Sequence, residues 1–255
     1  LIRRITPSEK ERISDPEAAL DGRPLRLSSV RVCSPIPHPE QDIICLGVNY
    51  AAHADESAQF DRKAFLLDRK KATYFSKRAY QTSGPDDLIP SYPELVTSLD
   101  YEAELAVIIG RDCKNVCERD AAACIFGYTV LNDVSARDLQ TGHKQWYFGK
   151  SLDGFTPMGP VLVTADEIAY PPALEITSRV NGELRQKSNT ALLITSIGQI
   201  LEELTGGMTL LPGTIIATGT PAGVGMGFDP PRFLQSGDTV ECAIEGIGTL
   251  CSTVI

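Results

Sequence analysis

Three acidic residues occupy alternate positions at the start of one apolar segment, SLDYEAELAVIIGRD, which runs from Ser98 to Asp112. Successive side chains of a β-strand point to opposite faces, so Asp100, Glu102 and Glu104 would share a face. Two carboxylates about 7 Å apart, pressed toward a low-dielectric interior, repel each other and resist ionisation unless a cation lies between them. The spacing therefore indicates a divalent-cation site. The alternative is a strand end at the rim of a sheet, where the acids face water.

A second polar group follows in LNDVSARDLQTGHK. If a helix begins near Asp133, then Arg137 lies at i+4 and Gln140 at i+7, which places an acid, a cation and an amide on one stripe. This stripe is polar where a core-facing stripe would be apolar. The alternative is a solvated helix face, on which an Asp133–Arg137 pair would contribute only about 0.3–0.5 kcal/mol.

A third group is NYAAHADE, which follows the apolar strand DIICLGV. The sequence predicts a helix here, with Asn49 capping its first turn. His53 and Glu56 then lie at i and i+3, where Glu56 can hydrogen-bond the imidazole and fix its tautomer. Such a pair can act as a general base on water, and the alternative is an exposed helix pair without a catalytic role.

The elements that must position these groups are mostly strands. LEITSRV and ELRQKSN flank Asn181 and Gly182, and this dipeptide predicts a tight β-hairpin because its turn needs positive φ at both residues. ALLITSIGQILEEL carries a helical apolar stripe that Gly206 and Gly207 end. GTIIATGTPAGVG and DTVECAIEGIGTLCSTVI are predicted as strands and tight turns. Because no regular βαβ rhythm appears, the fold class is predicted as α+β, mostly β with few helices.

Composition limits the partners and the compartment. The chain has 255 residues, 42% of them hydrophobic, and a formal net charge of -9, which disfavours nucleic acid and anionic membranes as partners. No apolar run approaches the length of about 20 residues that a membrane span needs. Seven cysteines lack the spacing of a zinc site, so reduced thiols in a cytoplasmic protein are predicted.

The chain is predicted to consist of a peripheral N-terminal part and one catalytic domain. Residues 1–40 are charged and proline-broken, and they are interpreted as the remnant of a small N-terminal region with a linker. Residues 41–255 are predicted to form the catalytic domain. Residues 57–75 are charged with scattered aromatics, which suits a mobile surface lid. Since the chain begins at Leu1, we also expect a segment to precede it.

Six ordered motifs together resemble the fumarylacetoacetate hydrolase family, in particular its shorter bacterial members. The motifs are CLGVNYAAHADE, LDYEAELAVIIGRD, GYTVLNDVSARDLQ, QWYFGKSLDGFTPMGP, RVNGELRQKSNT and LLPGTIIATGTPAGVG. The resemblance covers about residue 43 to the C-terminus. It implies a mixed β-sandwich roll with few helices, a homodimer, and one Mg²⁺ or Mn²⁺ per subunit, with Ca²⁺ as an alternative.

The resemblance also assigns roles to residues of this chain. Glu102, Glu104 and Asp133 match the metal ligands, and Asp100 falls outside that set. His53 and Glu56 match the pair that activates water, and Lys150 matches the lysine beside the metal. The matches to substrate-binding residues are Arg137, Gln140 and Thr220. The glycine-rich stretch after Thr220 lacks the GK[ST] ending of a phosphate-binding loop.

The implied activity is the metal-dependent hydrolysis of a carbon–carbon bond in acylpyruvate-type β-diketo acids, with a metal-stabilised pyruvate enolate as leaving group. The alternatives are an isomerase or decarboxylase of hydroxymuconate-type diacids, or an oxaloacetate decarboxylase, on the same metal site. A more remote alternative is a non-catalytic metabolite-binding relative. Four positions depart from the family pattern and leave the distal part of the substrate open: Arg78, Leu152, Gly154 and Met158.

Overall fold

The computed structural model describes residues 31–65 and 71–255. The chain divides into a unit of residues 1–32 and a second unit of residues 33–255, which contains almost all of the described part. The predicted N-terminal remnant therefore lies mostly outside the described residues, and its boundary at residue 40 stays a prediction. Residues 66–70 of the predicted lid are likewise outside the described part.

The described part of the second unit contains thirteen strands and five α-helices. The strands are β1 (Ile43–Gly47), β2 (Thr73–Lys77), β3 (Leu88–Ile89), β4 (Leu99–Asp100), β5 (Ala103–Ile109), β6 (Ile125–Asn132), β7 (Ser135–Ala136), β8 (Met158–Thr164), β9 (Glu175–Val180), β10 (Glu183–Asn189), β11 (Ile215–Ala217), β12 (Thr239–Ile244) and β13 (Gly248–Val254). The helices are α1 (Ala51–Phe60), α2 (Arg62–Phe65), α3 (Arg137–Gly142), α4 (Tyr147–Lys150) and α5 (Ile197–Gly207).

The strands form two large mixed sheets and one small one. The six-stranded sheet has the order β2-β1-β11-β5-β6-β8, and the five-stranded sheet has the order β10-β9-β12-β13-β3. Strands β4 and β7 form a separate antiparallel pair. Most neighbours are antiparallel, whereas β1 and β11 run parallel, as do β13 and β3. The predicted α+β class with few helices is confirmed.

Strand β5 is buried on both faces, as its two-sided apolar run predicts. Leu105, Val107 and Ile109 pack into the main core. Ala106 and Ile108 face a second, smaller core that also contains residues of β1 and β11. A strand enclosed on both sides cannot release its polar end to water, so the acids at its start are buried as well.

The hairpin prediction is confirmed, and the helix prediction is confirmed in part. Strands β9 and β10 pair across Asn181 and Gly182, whose φ values of 51° and 79° both lie in the left-handed region. Helix α5 ends at Gly207 but begins only at Ile197, since Ser196 and Gln199 form a capping box there. The preceding residues, Thr190–Leu192, form a separate 3₁₀ turn.

Two further predictions concern membrane-spanning helices and the state of the cysteines. Within residues 31–65 and 71–255, no helix has both the length and the apolar character needed to cross a membrane. All seven cysteines are free, as predicted; four of them are buried, namely Cys45, Cys113, Cys124 and Cys242.

Candidate active site

Three buried carboxylates converge at one end of the β5–β6 pair. One carboxylate oxygen from each of Glu102, Glu104 and Asp133 lies within 4.8 Å of those of the other two. Antiparallel pairing brings them together, because Glu104 lies opposite Leu131 and the backbone N–H of Asp133 donates to the carbonyl of Glu102 at 2.9 Å. All three are buried, so the alternative of a solvated strand end does not apply.

The prediction of a helix beginning near Asp133 is wrong. Asp133 lies in the short link between β6 and β7, and helix α3 begins four residues later, at Arg137. The reason is that Ser135 and Ala136 are extended and pair with β4, which prevents an earlier helical turn. The third carboxylate is therefore delivered by a strand end rather than by a helix start.

Two buried lysines contact the carboxylates. Lys150 Nζ lies 2.8 Å from Glu102 Oε2 and 2.7 Å from Asp133 Oδ2. Lys77 Nζ lies 2.7 Å from Asp133 Oδ1 and also donates to the carbonyls of Val134 and Lys150. Burial lowers the pKa of Lys77, whereas for Lys150 the charges of Asp133 and Glu102 outweigh burial and raise the pKa. Lys150 is therefore not a surface lysine but part of the carboxylate cluster.

Sequence reasoning gave Lys77 no role in the site. The available signal was its position as the last residue of strand β2, where a buried lysine needs an acid as its partner.

The electrostatics of the carboxylates suit a divalent cation. Burial opposes ionisation of Glu102, but Lys150 and Arg137 outweigh it and hold its pKa well below the ordinary value. For Glu104, burial and the charges of Asp133 and Glu102 raise the pKa well above it. Within the described residues the hydrogen-bond donor to Glu104 is the backbone N–H of Gly219, at 2.8 Å. A hard cation would supply the positive counter-charge that Glu104 lacks. Carboxylate oxygens are the ligands that Mg²⁺ and Mn²⁺ prefer.

Arg137 is a buried cation with one free edge. Its Nε donates to Asp100 Oδ2 at 2.9 Å, and its Nη1 lies 2.6 Å from Glu102 Oε1 and 3.0 Å from Gln140 Oε1. Its Nη2 is buried and has no hydrogen-bond partner among the described residues. The Asp133–Arg137 helix pair considered from the sequence does not form. Instead, Arg137 offers a donor for an anionic group, and Asp100, which the ligand assignment left aside, holds it.

His53 and Glu56 form the predicted pair on helix α1. His53 Nδ1 lies 3.0 Å from Glu56 Oε2, and His53 is buried, which excludes an exposed pair. The prediction that Asn49 caps α1 is wrong, because Tyr50 is the N-cap residue. The Asn49 side chain instead bonds backbone groups of Thr195 and Thr218, and so ties the start of α1 to the end of β11.

One pocket brings these groups together. Its polar lining consists of His53, Glu102, Arg137, Gln140, Lys150 and Thr220. The Thr220 hydroxyl already donates to the Ala103 carbonyl at 2.9 Å and accepts from Gln186 Nε2 at 2.7 Å. Its predicted contact with substrate would therefore use the remaining lone pair of the hydroxyl oxygen.

Part of the pocket lining is aromatic. It is formed by Phe65, Phe75 and Trp146, with ring centroids 5.4 Å apart for Phe65–Trp146 and 5.3 Å apart for Phe75–Trp146. Phe65 belongs to the segment predicted as a lid, and it is buried against Val224 and Met226. The described part of that segment therefore packs over the pocket; its mobility stays a prediction.

Fold and site define a class: a mixed-sheet α+β protein whose buried carboxylates suit a divalent cation. Residues 42–255 match the family model described as the C-terminal domain of fumarylacetoacetate (FAA) hydrolase. The chain belongs to this family of enzymes, as its six motifs predict.

Individual relatives carry names from several reactions. The oxaloacetate tautomerase YisK of Bacillus subtilis is 46% identical over 228 residues, which cover 89% of this chain and 74% of that protein. A fumarylacetoacetate hydrolase structure from Exiguobacterium antarcticum is 44% identical with a TM-score of 0.80, covering 91% of this chain and 80% of that one. A 5-carboxymethyl-2-hydroxymuconate delta-isomerase structure from Mycobacterium smegmatis is 38% identical with a TM-score of 0.74, covering 92% and 83%.

Proposed function

We propose that this protein catalyses divalent-metal-dependent proton transfer on a small 2-oxo diacid, as an oxaloacetate-type tautomerase or a hydroxymuconate-type isomerase. One observation carries the proposal: His53, which Glu56 hydrogen-bonds, lines one pocket together with Glu102 of the three-carboxylate cluster and with Arg137. The two relatives named as a tautomerase and an isomerase favour proton transfer over the hydrolysis expected from the motifs.

Each group of the site has its own role in the proposed reaction. Glu102, Glu104 and Asp133 would hold the cation, which as a Lewis acid would make the carbon beside the 2-oxo group more acidic. Arg137 Nη2 binds a carboxylate of the substrate. His53 takes the proton from the activated carbon, and Glu56 Oε2, at 3.0 Å from Nδ1, stabilises the imidazolium that results.

Lys150 has a separate electrostatic task. Its ammonium group lies between Glu102 and Asp133, so it offsets part of the repulsion between the two carboxylates and adds positive potential beside the reacting oxygen. The aromatic wall of Phe65, Phe75 and Trp146 keeps bulk water away from the transferred proton. A proton returned from His53 to a different carbon gives isomerisation, and a proton delivered to the oxo group gives the enol.

Carbon–carbon hydrolysis of an acylpyruvate is the second candidate. The same His53–Glu56 pair would then deprotonate a water that attacks the distal carbonyl, which is the activity the family resemblance implies. The two candidates differ in their products. Hydrolysis releases pyruvate and a carboxylic acid, whereas proton transfer leaves every carbon–carbon bond intact. Decarboxylation on the same metal site would release CO₂.

The deciding experiment strips the metal with a chelator and restores Mg²⁺ or Mn²⁺. Oxaloacetate, hydroxymuconate-type diacids and acylpyruvates are then screened by absorbance and by product analysis. We expect turnover to require the metal. The absorbance of the enol should fall or rise, and no pyruvate should be released. Full activity in chelator would contradict the proposed mechanism. Pyruvate released together with a carboxylic acid from an acylpyruvate would favour hydrolysis, whereas pyruvate released with CO₂ from oxaloacetate would indicate decarboxylation.

His53→Ala separates the chemistries further. Proton transfer and hydrolysis should each fall by about 10²-fold or more, because both need the base, whereas simple decarboxylation should survive. His38→Ala is the matched control, since His38 is exposed and hydrogen-bonds only a backbone carbonyl, that of Tyr80. The homodimer that the resemblance implies also stays a prediction, and light scattering during size-exclusion chromatography checks it.

A further inference from the structure

A glycine-rich loop lies beside the candidate active site, and the proposed reaction gives it no role. The loop is the sequence GVGMG, residues Gly223–Gly227, with glycine at every second position. Its last three residues form a 3₁₀ turn. It has no phosphate-loop ending, so another reason must explain the three glycines.

The structure supplies a separate steric reason for each glycine. A Cβ at Gly223, whose φ is 104°, would collide with the backbone carbonyl of Arg185. A Cβ at Gly225 would lie 2.6 Å both from the backbone carbonyl oxygen of Arg232 and from Asp100 Oδ1. A Cβ at Gly227 would overlap the carboxylate and Cγ of Glu56. Two of the three glycines therefore make room for acidic side chains.

Backbone N–H groups of the same loop hold those acids. Gly223 N donates to Glu56 Oε1 at 2.9 Å. Gly225 N donates to Asp100 Oδ1 at 2.6 Å, and Met226 N donates to Asp100 Oδ2 at 3.0 Å. Hydrogen bonds from backbone amides to carboxylates are charge-assisted and fix the orientation of the acid.

Each of the two acids in turn holds one working group of the pocket. Glu56 bonds His53 through its other oxygen, Oε2, at 3.0 Å. Asp100 accepts from Arg137 Nε at 2.9 Å. One short backbone segment thus connects the candidate base with the candidate carboxylate-binding cation.

We propose that the loop Gly223–Gly227 is a positioning element: a cradle for two carboxylates that sets where His53 stands relative to Arg137. The inference rests on the proposed function, in which His53 takes a proton from a substrate that Arg137 holds. The loop itself touches neither reacting atom. It acts through Glu56 and Asp100, and misplacement of a base by about 1 Å can cost as much as about 10²-fold in rate.

Gly227→Ala tests the cradle, because the added methyl group must displace the Glu56 carboxylate. We expect kcat to fall by about 10-fold or more with KM changed less than about 2-fold, since Arg137 keeps its contacts. Gly206→Ala is the matched control, because Gly206 lies in helix α5 with nothing within 4 Å of its added Cβ. Equal kcat values for the two variants would overturn the proposal.

A cycle with Glu56→Ala makes the test specific. Once the Glu56 side chain is gone, Gly227→Ala has nothing to displace, and its additional effect on kcat should vanish. An undiminished effect in the Glu56→Ala background would show that the loop acts by another route and would overturn the proposal. If Gly227→Ala does not fold, the double variant with Glu56→Asp should fold again, because the shorter side chain removes one methylene group from the clash. A double variant that still does not fold would also contradict the cradle.

An activity-independent readout separates this inference from the proposed function. The NMR signals of the His53 imidazole, one of three histidines in the chain, should move in Gly227→Ala but not in Gly206→Ala. In the Glu56→Ala background, Gly227→Ala should not move them further. This pattern would support the cradle even if none of the tested acids were turned over. Unmoved signals would overturn it whatever the substrate.

Discussion

Two carboxylates four residues apart, Asp100 and Glu104, are equally buried yet are satisfied in different ways. Asp100 accepts from three backbone N–H groups, those of Tyr101, Gly225 and Met226, and from Arg137 Nε. Glu104 accepts from one backbone N–H within the described part of the chain and faces two further acids. A buried carboxylate with a full set of donors needs no metal, whereas one beside other acids does.

The comparison explains why one run of alternating acids serves two purposes. Asp100 is part of the framework, because it fixes Arg137 and the loop Gly223–Gly227. The ionised form of Glu104 is unfavourable beside two other buried acids, and a divalent cation would offset that cost. Glu102 is an intermediate case, because the side chains of Lys150 and Arg137 supply its counter-charge. Replacing Asp100 should therefore lower the stability of the protein, whereas replacing Glu104 should not.

Glu104→Gln should have the largest effect. Loss of one ligand from a three-carboxylate site should abolish measurable Mn²⁺ binding and lower metal-dependent turnover by about 10³-fold or more, because the cation carries the main charge stabilisation. Stability in chelator should be unchanged or higher, since a neutral amide removes repulsion between acids. Calorimetric metal titration and thermal unfolding measure both effects, with exposed Glu202→Gln as the control. Normal metal binding by Glu104→Gln would refute the ligand assignment.

Asp100→Asn should lower the stability of the protein. The variant keeps the size of the side chain but leaves the Arg137 cation and three backbone N–H donors without a carboxylate, so the free energy of unfolding should fall by about 3–5 kcal/mol. Denaturant unfolding in chelator measures this loss. Mn²⁺ affinity should change much less than in Glu104→Gln. A stability equal to that of the unmodified protein would remove the distinction between framework acid and ligand.

The smallest predicted effect is a pH dependence of the stabilisation by metal. The pKa of Glu104 is raised in the folded, metal-free protein, so its proton stabilises this form at low pH, and that stabilisation is lost as pH rises toward the raised pKa. A cation needs the deprotonated carboxylate. The stabilisation free energy that Mn²⁺ adds, observed as a gain in Tm, should therefore grow with pH across this window, by up to about 1.4 kcal/mol per pH unit, and then level off.

Thermal unfolding with Mn²⁺ and with chelator over a range of pH gives this difference directly. In Glu104→Gln the pH dependence of the difference should disappear. A gain in Tm that falls as pH rises would contradict the raised pKa of Glu104 as its cause.

Local patterns predicted the elements whose geometry depends on neighbours in sequence. The Asn181–Gly182 hairpin, the two-sided burial of β5 and the end of α5 at Gly207 all follow from short-range rules of backbone conformation and periodicity. The prediction of a helix near Asp133 failed because extended pairing of Ser135 and Ala136 with β4 overrides local preference. Asn49 failed as a cap for a similar reason, since its amide is used by segments more than 140 residues away.

The sequence by itself determined which acids share a face, where the chain reverses and which family the motifs resemble, because these depend on residue order and local geometry. Only the tertiary structure decided which acid lacks a counter-charge. Lys77 reaches Asp133 across 56 residues of chain, and the loop Gly223–Gly227 reaches Asp100 across 125. The physical reason is that the ionisation of a buried group depends on every charge and donor around it, and folding brings those together from distant parts of the chain.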